Sequence, residues 1–303
     1  MINVVYMGTP EYAKVILEEL IEHDKIEVSL VITQPDRPVG RKKILTAPPV
    51  KELANKHNIE VLQPDRLKQE GIKEAIAAKG ADFIVVAAFG QLLPKEILDI
   101  APSINLHASI LPKYRGASPI QSALLNGDEY SGVTAMLMDE GLDTGDMLGF
   151  RYIKSADAPT LDLMMAKLST LAAKLCVDVL VEYDNILPIK QLNALATKCG
   201  KVKKDDGLVD FESALELVRK HNAYFGWPGV FLESGVKLFG VELIDDSSKN
   251  SAGEILEITK KYVIVGCSQG SVKIRELQPK SKSKMDAKAY IAGKRLKVGD
   301  KIL

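Results

Sequence analysis

Asn105 and His107 are polar residues in a short apolar run, separated by a single residue. If this run is a β-strand, both side chains point to the same face, because successive residues of a strand alternate between faces. An amide and an imidazole presented side by side suit acyl transfer. In that reaction the carbonyl oxygen gains negative charge, which Asn105 can stabilise, and the attacking amine loses a proton, which His107 can accept.

Asp143 is the third candidate and lies 36 residues after His107, in the segment Gly141-Leu-Asp-Thr-Gly-Asp146. An aspartate in such a glycine-containing stretch is more often a turn residue than a catalytic one. Beside His107, however, its carboxylate would orient the imidazole, as the third group does in a nucleophile–base system. Asp143 is therefore a candidate only if the fold brings it to His107.

A polar loop at residues 34–43 carries a cluster of basic side chains, which are Arg37, Arg41, Lys42 and Lys43. Its composition is equally consistent with a solvated surface loop. The functional interpretation is an arm that contacts phosphates, because basic side chains on a flexible loop adapt to a nucleic-acid backbone.

Alternating strands and helices must position these residues. Apolar runs predict strands over 2–7, 28–33, 60–62, 83–88 and 104–107, with helical stretches near 50–57 and 71–79. Thr9 is expected to cap a helix that Pro10 opens and that runs toward Glu22. The pattern predicts an α/β fold with a doubly wound, mostly parallel sheet, whose ligands bind at the carboxyl ends of the strands.

The remainder predicts a second, smaller domain. Residues 134–139 and 147–154 predict a strand pair around the Asp143 loop, and 161–183 predict a long amphipathic helix. Short alternating segments after residue 230 predict a small β-barrel, with Trp227 in its core. The boundaries that we predict are 1–189 for the catalytic domain, 190–207 for a linker and 208–303 for the barrel domain.

Length and composition indicate a globular protein of about two domains, since the chain has 303 residues and is 46% hydrophobic. The net charge is zero, but the charged residues are unevenly distributed along the chain. From Gly200 onward 19 basic residues stand against 14 acidic ones, which leaves 21 against 26 before that point. The positive last third favours a polyanionic partner, although a solvated surface gives the same count.

Cysteine and histidine usage indicates a reducing compartment and no metal. Cys176, Cys199 and Cys267 are isolated and odd in number, and the four histidines show no metal-binding spacing. Neither a membrane-spanning stretch nor a signal peptide is recognisable. We expect a cytoplasmic protein that acts as a monomer and away from membranes.

The segment Asn105-x-His107-x-Ser109-Ile-Leu-Pro112-x-Tyr114-Arg-Gly116, with Asp143 downstream, resembles the formyltransferase family that uses 10-formyltetrahydrofolate. Gly8-Thr9-Pro10, the arm that begins Gln34-Pro-Asp-Arg-Pro38, and residues 141–146 extend the resemblance. It runs essentially from end to end, but its motifs are dense only before about residue 150.

The resemblance implies that Asn105, His107 and Asp143 are the catalytic residues and that the C-terminal barrel is OB-like and binds tRNA. It further implies that 10-formyltetrahydrofolate is surrounded by Phe89, Gly90, Gln91, Leu92, Ser109, Ile110, Leu111, Pro112, Asp139, Gly141 and Leu142.

The resemblance also implies that the acceptor is the α-amine of methionyl initiator tRNA, and Arg41 matches the arm position that is expected to reach the tRNA acceptor stem. One departure is visible in the arm: the family usually has Gly-Arg-Gly-Lys-Lys, whereas this chain has Gly40-Arg-Lys-Lys43. The missing glycine affects the path of the arm and leaves its charge unchanged.

Three alternatives remain open at this point. A formyltransferase for a small amine, such as a purine precursor or an amino sugar, would share Asn105, His107 and Asp143 but would have less use for a basic arm. A hydrolase that releases formate from the folate would use water in place of the amine. An RNA-binding module without catalysis would use the barrel alone.

Overall fold

The computed structural model describes residues 1–40, 42–157 and 159–302, which divide into two compact units. The first unit consists of residues 1–119, 130–157 and 164–200, and the second of residues 120–129, 159–163 and 201–302. Residues 190–200 of the predicted linker thus pack within the first unit, and residues 201–207 within the second.

The strands of the first unit include a large central sheet and two short ribbons. In chain order they are β1 (Ile2–Gly8), β2 (Ile26–Ile32), β3 (Arg37–Val39), β4 (Ile44–Thr46), β5 (Val61–Leu62), β6 (Phe83–Ala87), β7 (Ser103–His107), β8 (Arg115–Gly116), β9 (Tyr130–Leu137), β10 (Met147–Lys154) and β11 (Lys198–Cys199). The helices up to residue 181 are α1 (Glu11–Glu22), α2 (Pro49–Lys56), α3 (Ile72–Ala77), α4 (Lys95–Leu98), α5 (Pro119–Asn126) and α6 (Leu161–Val181).

The central sheet has the strand order β10-β9-β7-β6-β1-β2-β5 and confirms the predicted doubly wound α/β fold. Strands β5, β2, β1, β6 and β7 run parallel, while β9 and β10 are antiparallel to their neighbours. Strand β6 is buried along its whole length, as expected for a strand covered on both faces. The antiparallel edge lets the chain turn back after β9 and bring the 138–146 loop to β7.

The second unit contains an antiparallel sheet with two helices, α7 (Ala214–Ala223) and α8 (Ala287–Gly293). Its strands are β12 (Val230–Phe231), β13 (Lys237–Asp245), β14 (Ile255–Ile258), β15 (Val263–Gly266), β16 (Ser271–Gln278) and β17 (Met285–Asp286). The alternating segments predicted for the C-terminal domain coincide with β13 to β16. Their buried residues, among them Val265 and Ile274, share one apolar core with Phe211.

Two local predictions were wrong. Pro10, not Thr9, is the N-cap of α1, and the Thr9 hydroxyl instead donates to the carbonyl of Phe89 over 3.4 Å. Trp227, predicted in the core, is 58% exposed. The neighbouring Gly226 and Gly229 have φ angles of +83° and +71°, so the chain turns sharply on both sides of the indole.

Candidate active site

Strand β7 places Asn105 and His107 on one face at its carboxyl end, as the sequence predicts. Asn105 pairs with Val86 of β6 and Met136 of β9, and His107 pairs with Thr134 of β9. Neighbouring strands on both sides therefore fix the backbone of Asn105, and β9 fixes that of His107. His107 is only 6% exposed, while Asn105 is half-buried.

The imidazole of His107 has a defined orientation because both ring nitrogens have a neighbour. Nε2 lies 2.9 Å from the carbonyl oxygen of Tyr114. A carbonyl oxygen can only accept, so Nε2 carries a hydrogen and donates it. Nδ1 faces the carboxylate of Asp143, with 3.6 Å between Nδ1 and Oδ1. Any proton that His107 gains must therefore be taken up at Nδ1.

The Asp143 carboxylate lies between the loop that carries it, strand β7 and strand β8. Its Oδ1 accepts a hydrogen bond of 3.3 Å from the Nδ2 of Asn105, and its Oδ2 accepts one of 2.8 Å from the backbone N–H of Gly116. The backbone of Asp143 is left-handed, with φ at +54°. The structure thus brings Asn105, His107 and Asp143 together, although 38 residues separate the asparagine from the aspartate.

Position 116 requires a glycine. Its φ is +128°, and a Cβ at this position would lie 2.1 Å from the carbonyl oxygen of Cys199 on the paired strand β11. The glycine therefore allows β8 and β11 to approach closely while its N–H points at Asp143.

The loop after β7 is braced by Thr134, whose hydroxyl donates to the Ser109 carbonyl over 2.7 Å and accepts from the N–H of Leu111 over 3.1 Å. The Ser109 hydroxyl donates to the Lys113 carbonyl over 2.6 Å. Ser109 and Leu111 are buried, and Ile110 and Pro112 are partly exposed. Of the folate positions predicted in this loop, Ile110 and Pro112 therefore offer side chains to a ligand.

The Phe89–Leu92 turn follows β6 and is only partly open to solvent. Phe89 is buried in the apolar cluster of the sheet, and the side chain of Gln91 accepts from the N–H of Leu67 over 3.1 Å. Gly90 and Leu92 are exposed. Any ligand at this turn would meet the backbone of Gly90 and the side chain of Leu92.

The loop between β9 and β10 carries the remaining positions that were predicted to contact the folate, which are Asp139, Gly141 and Leu142. Asp139 uses its Oδ1 to accept from the N–H of Gly141 over 2.9 Å and from the hydroxyl of Thr144 over 2.7 Å. Leu142 is exposed, and Met138 packs against the cluster that contains Phe89. The 89–92 and 138–142 segments therefore border the same part of the core.

The basic arm is a hairpin of β3 and β4, a pairing that the sequence interpretation missed. Lys42 and Lys43 are exposed at its tip, and Arg37 donates to the Oε1 of Gln34 over 3.1 Å. Arg41 lies outside the described residues. At the arm's base, Asp36 accepts from Gln63 over 2.8 Å and from Lys51 over 2.9 Å. These two donors hold the pKa of Asp36 below its usual value.

Sequence reasoning also missed two buried polar residues next to the site, Arg115 and Gln191. Arg115 appears in the motif that includes Tyr114 and Gly116, yet nothing in its spacing shows that its guanidinium bonds to Gln191. Gln191 lies in the segment predicted as a linker. Among the described residues, no group of three or more His, Cys, Asp or Glu side chains is placed to hold a metal ion.

Comparison with known proteins gives two matches to family models. Residues 2–199 match the formyl transferase model, and residues 201–295 match the model of the formyl transferase C-terminal domain. Together they cover both units, and the first includes every residue of the candidate site.

Solved structures also resemble the fold, and two serve as examples. One is an N-formyltransferase from Helicobacter canadensis in complex with folinic acid and dTDP-3-aminofucose, at a TM-score of 0.69 and 19% identity, covering 92% of this chain and 100% of that one. The other is HypX from Aquifex aeolicus, at a TM-score of 0.65 and 17% identity, where the match covers 100% of this chain and 53% of that one. At these identities the likeness concerns the fold alone.

Sequence relatives are much closer. A methionyl-tRNA formyltransferase from Sulfurovum sp. (strain NBC37-1) is 53% identical over 301 residues, with 99% of each chain covered. One from Campylobacter curvus (strain 525.92) is 52% identical over 303 residues, again with 99% of each covered. Identity of this extent, together with the family-model matches over both units, shows that the chain belongs to the methionyl-tRNA formyltransferase family.

Proposed function

We propose that this chain transfers the formyl group of 10-formyltetrahydrofolate to the α-amine of methionine on initiator tRNA, with Asn105, His107 and Asp143 as its catalytic residues. The observation that supports these roles is geometric. The amide of Asn105 and the Nδ1 of His107 both face the Oδ1 of Asp143, at 3.3 Å and 3.6 Å, at the carboxyl end of β7. A donor for an oxyanion and an acceptor for a proton are thus held beside one another.

Asn105 is proposed to stabilise the oxygen of the formyl group as it becomes negative. Its Nδ2 carries two hydrogens, and Asp143 takes one of them. The second hydrogen remains for the substrate oxygen, so Asn105 need not release Asp143 in order to act. Because its position is fixed before the reaction, no reorganisation is needed as charge develops.

His107 is proposed to take the proton that the attacking amine loses. Nε2 is engaged with Tyr114, which leaves Nδ1 as the accepting nitrogen. The distance of 3.6 Å from Nδ1 to Asp143 is longer than a hydrogen bond. After proton transfer, Nδ1 becomes a donor and the imidazolium lies between a carboxylate and a carbonyl, which both stabilise its charge.

The formyl donor supplies an acyl group activated for attack by an amine. The residues present fit the aromatic ring of its p-aminobenzoyl group, because Leu92 and Leu142 expose their side chains on two segments that border the same core cluster. Ile110 and Pro112 add partly exposed apolar side chains after β7. We propose that these four side chains hold the folate while backbone groups near Gly90 and Gly141 provide its polar contacts.

Incubating the purified chain with 10-formyltetrahydrofolate and methionyl initiator tRNA, small amines or water alone tests the proposed acceptor. We expect formylation of the tRNA at a rate far above formylation of small amines or release of formate. A rate with small amines or water that equals the rate with tRNA would reject the proposed acceptor.

The catalytic roles predict that His107→Ala and Asp143→Asn each lower kcat by about 10²–10⁴-fold while the fold is kept. Circular dichroism verifies folding, and single-turnover assays measure the residual rate. His57→Ala is the matched control, because His57 is exposed at the end of α2. Wild-type turnover in either variant would remove that residue from the mechanism.

We further propose that the hairpin arm contacts the tRNA backbone through Arg37, Arg41, Lys42 and Lys43. For the double variant Lys42→Ala/Lys43→Ala we expect a raised KM for tRNA, an unchanged KM for the folate and a salt dependence of tRNA binding reduced by about two charges. Lys56→Ala, an exposed lysine on α2, serves as the control. An unchanged dependence of rate on tRNA concentration would contradict the proposal.

We propose a cytoplasmic location, because initiator tRNA is used where proteins are made. We also propose that the enzyme is a monomer, which sedimentation analysis would test. The structure adds one related observation: no helix in the described part of the chain combines the length and apolar character needed to cross a membrane.

A further inference from the structure

Gln191 forms a bridge between a buried arginine and the loop that carries Asp143. Its Oε1 accepts two hydrogen bonds from Arg115, of 2.9 Å from Nε and 2.8 Å from Nη2. Its Nε2 donates to the carbonyl of Asp143 over 3.0 Å and to that of Gly145 over 2.7 Å. Both residues are buried, with Gln191 9% and Arg115 6% exposed.

The bonding pattern leaves one possible orientation for the Gln191 amide. Guanidinium groups only donate and backbone carbonyls only accept, so the amide oxygen must face Arg115 and the amide nitrogen must face the loop. The positive charge of Arg115 draws electron density toward Oε1, which strengthens the two N–H donors on the other side. Asn193 supplies a further acceptor to Arg115, at 3.0 Å.

The loop that carries Asp143 needs the clamp formed by the Gln191 hydrogen bonds, because its backbone has an uncommon conformation at Asp143. Asp143 is left-handed, a conformation that costs a non-glycine residue free energy unless its surroundings fix it. Gly145 has no room for a side chain, since a Cβ would lie 1.7 Å from the Leu137 carbonyl. The two carbonyls that Gln191 binds lie at Asp143 itself and two residues later.

We propose that Gln191, supported by Arg115, is a positioning residue that holds the Asp143 backbone so that its carboxylate faces Asn105 and His107. This inference rests on the proposed function, because it assigns Gln191 a role through Asp143. Gln191 acts on the rate of the chemical step and leaves the binding of both substrates nearly unchanged.

Three variants test the role of the amide. Gln191→Ala removes all four hydrogen bonds. Gln191→Glu keeps an acceptor for Arg115 but replaces the donors with an oxygen that repels the Asp143 and Gly145 carbonyls. Gln278→Glu is the matched control, because the Gln278 amide also donates to a backbone carbonyl, that of Lys282 in the second unit.

We expect Gln191→Ala and Gln191→Glu to lower kcat by about 10–100-fold, the size of effect that a small displacement of a catalytic group produces. The KM values for tRNA and folate should stay within about threefold, as expected for a group that affects only the chemical step. If Gln191→Ala fails to fold, Gln191→Glu still provides the test, because it retains the partner of Arg115. Wild-type kcat in a folded Gln191→Glu would overturn the inference, since a purely structural role through Arg115 survives that change.

A double-mutant cycle with Asp143→Asn separates this inference from the proposed function. If Gln191 acts through Asp143, Gln191→Ala should cost less than about threefold in the Asp143→Asn background. An equal loss in both backgrounds would overturn the positioning role and leave the catalytic role of Asp143 standing. Wild-type turnover of Asp143→Asn alone would overturn that catalytic role, and the inference with it.

Discussion

At the scale of single residues, the site is organised around one carboxylate. Asp143 receives a side-chain donor from Asn105 and a backbone donor from Gly116, and it faces His107. The Asp143 carboxylate is only 11% exposed and keeps its place, because moving it would leave these donors without partners. The orientation of the Asn105 and His107 side chains on β7 therefore depends on Asp143, which the loop after β9 carries.

Asn105→Ala tests the oxyanion role directly. We expect kcat to fall by about 10²–10³-fold, the loss found when one donor to a developing oxyanion is removed, with KM values changed by no more than a few-fold. Steady-state kinetics with both substrates varied would measure this.

The matched control is Asn185→Ala, an exposed asparagine whose amide bonds only Glu182 among the contacts described, at 3.0 Å. A kcat loss of less than fivefold in Asn105→Ala, with the control unaffected, would assign stabilisation of the oxyanion to another group.

Residue types and spacing were enough to predict that Asn105 and His107 share a face, whereas the expectation that Asp143 joins them depended on the family resemblance. Asn105 and His107 are two apart on a strand, and the turn sequence after β9 shows where a loop must be. Gln191 and Arg115 could not be predicted in the same way, because they lie 76 residues apart and neither has a local pattern that reveals the other. Their pairing depends on the path of a segment without regular secondary structure.

At the scale of elements, the strands of the central sheet and the helices α1, α2, α3 and α6 were predictable, whereas the short ribbons and the helices α5 and α7 were not. Strands β1, β2, β6 and β7 are apolar runs that appear clearly in the sequence. The hairpin of β3 and β4 is exposed and contains Pro38 and Gly40, which suggest a loop. This hairpin is held in shape by cross-strand pairing and by contacts at its base. In the described strands β3 and β4, it buries no apolar face.

The base of the hairpin gives a prediction about pH. Hydrogen bonds from Gln63 and Lys51 lower the pKa of Asp36 below 3.8, its usual value. The interaction therefore stabilises the folded arm above pH 3.8, and this stabilisation is lost as the pH falls through the lower folded-state pKa. Carbon-13 NMR of labelled aspartate carboxyls should show Asp36 titrating below 3.8.

Gln63→Ala removes the larger cause and should move the Asp36 titration upward, whereas the exposed Asn55→Ala should leave it in place. A normal Asp36 titration in the unmodified chain would mean that these hydrogen bonds do not hold the base of the arm in solution.

At the scale of the whole molecule, the chain consists of two units that each contain a buried thiol. Cys176 lies in the first unit and Cys267 in the second, and both are fully buried. Burial raises the pKa of both thiols, that of Cys267 to about 12. A thiol that remains protonated and inaccessible does not react with alkylating reagents until its surroundings unfold.

We therefore expect Cys176 and Cys267 to resist labelling in buffer and to become reactive at separate urea concentrations, each marking the unfolding of its own unit. Val265→Ala, which removes buried methyl groups from the second unit at a cost of about 2 kcal/mol, should lower the midpoint for Cys267 alone. Peptide mass spectrometry after pulsed alkylation would measure both. Equal shifts for the two thiols would indicate that the units unfold together.

The clamp on the Asp143 loop also has a consequence for how a newly made chain matures. Gln191 is added 48 residues after Asp143, and strand β11, which pairs with β8, follows at residues 198–199. At a synthesis rate of about 5–20 residues per second, the strands of the central sheet are made roughly two to ten seconds before Gln191 and β11. A chain on the ribosome thus acquires its sheet first, and its catalytic geometry is complete only when the last residues of the first unit have been made.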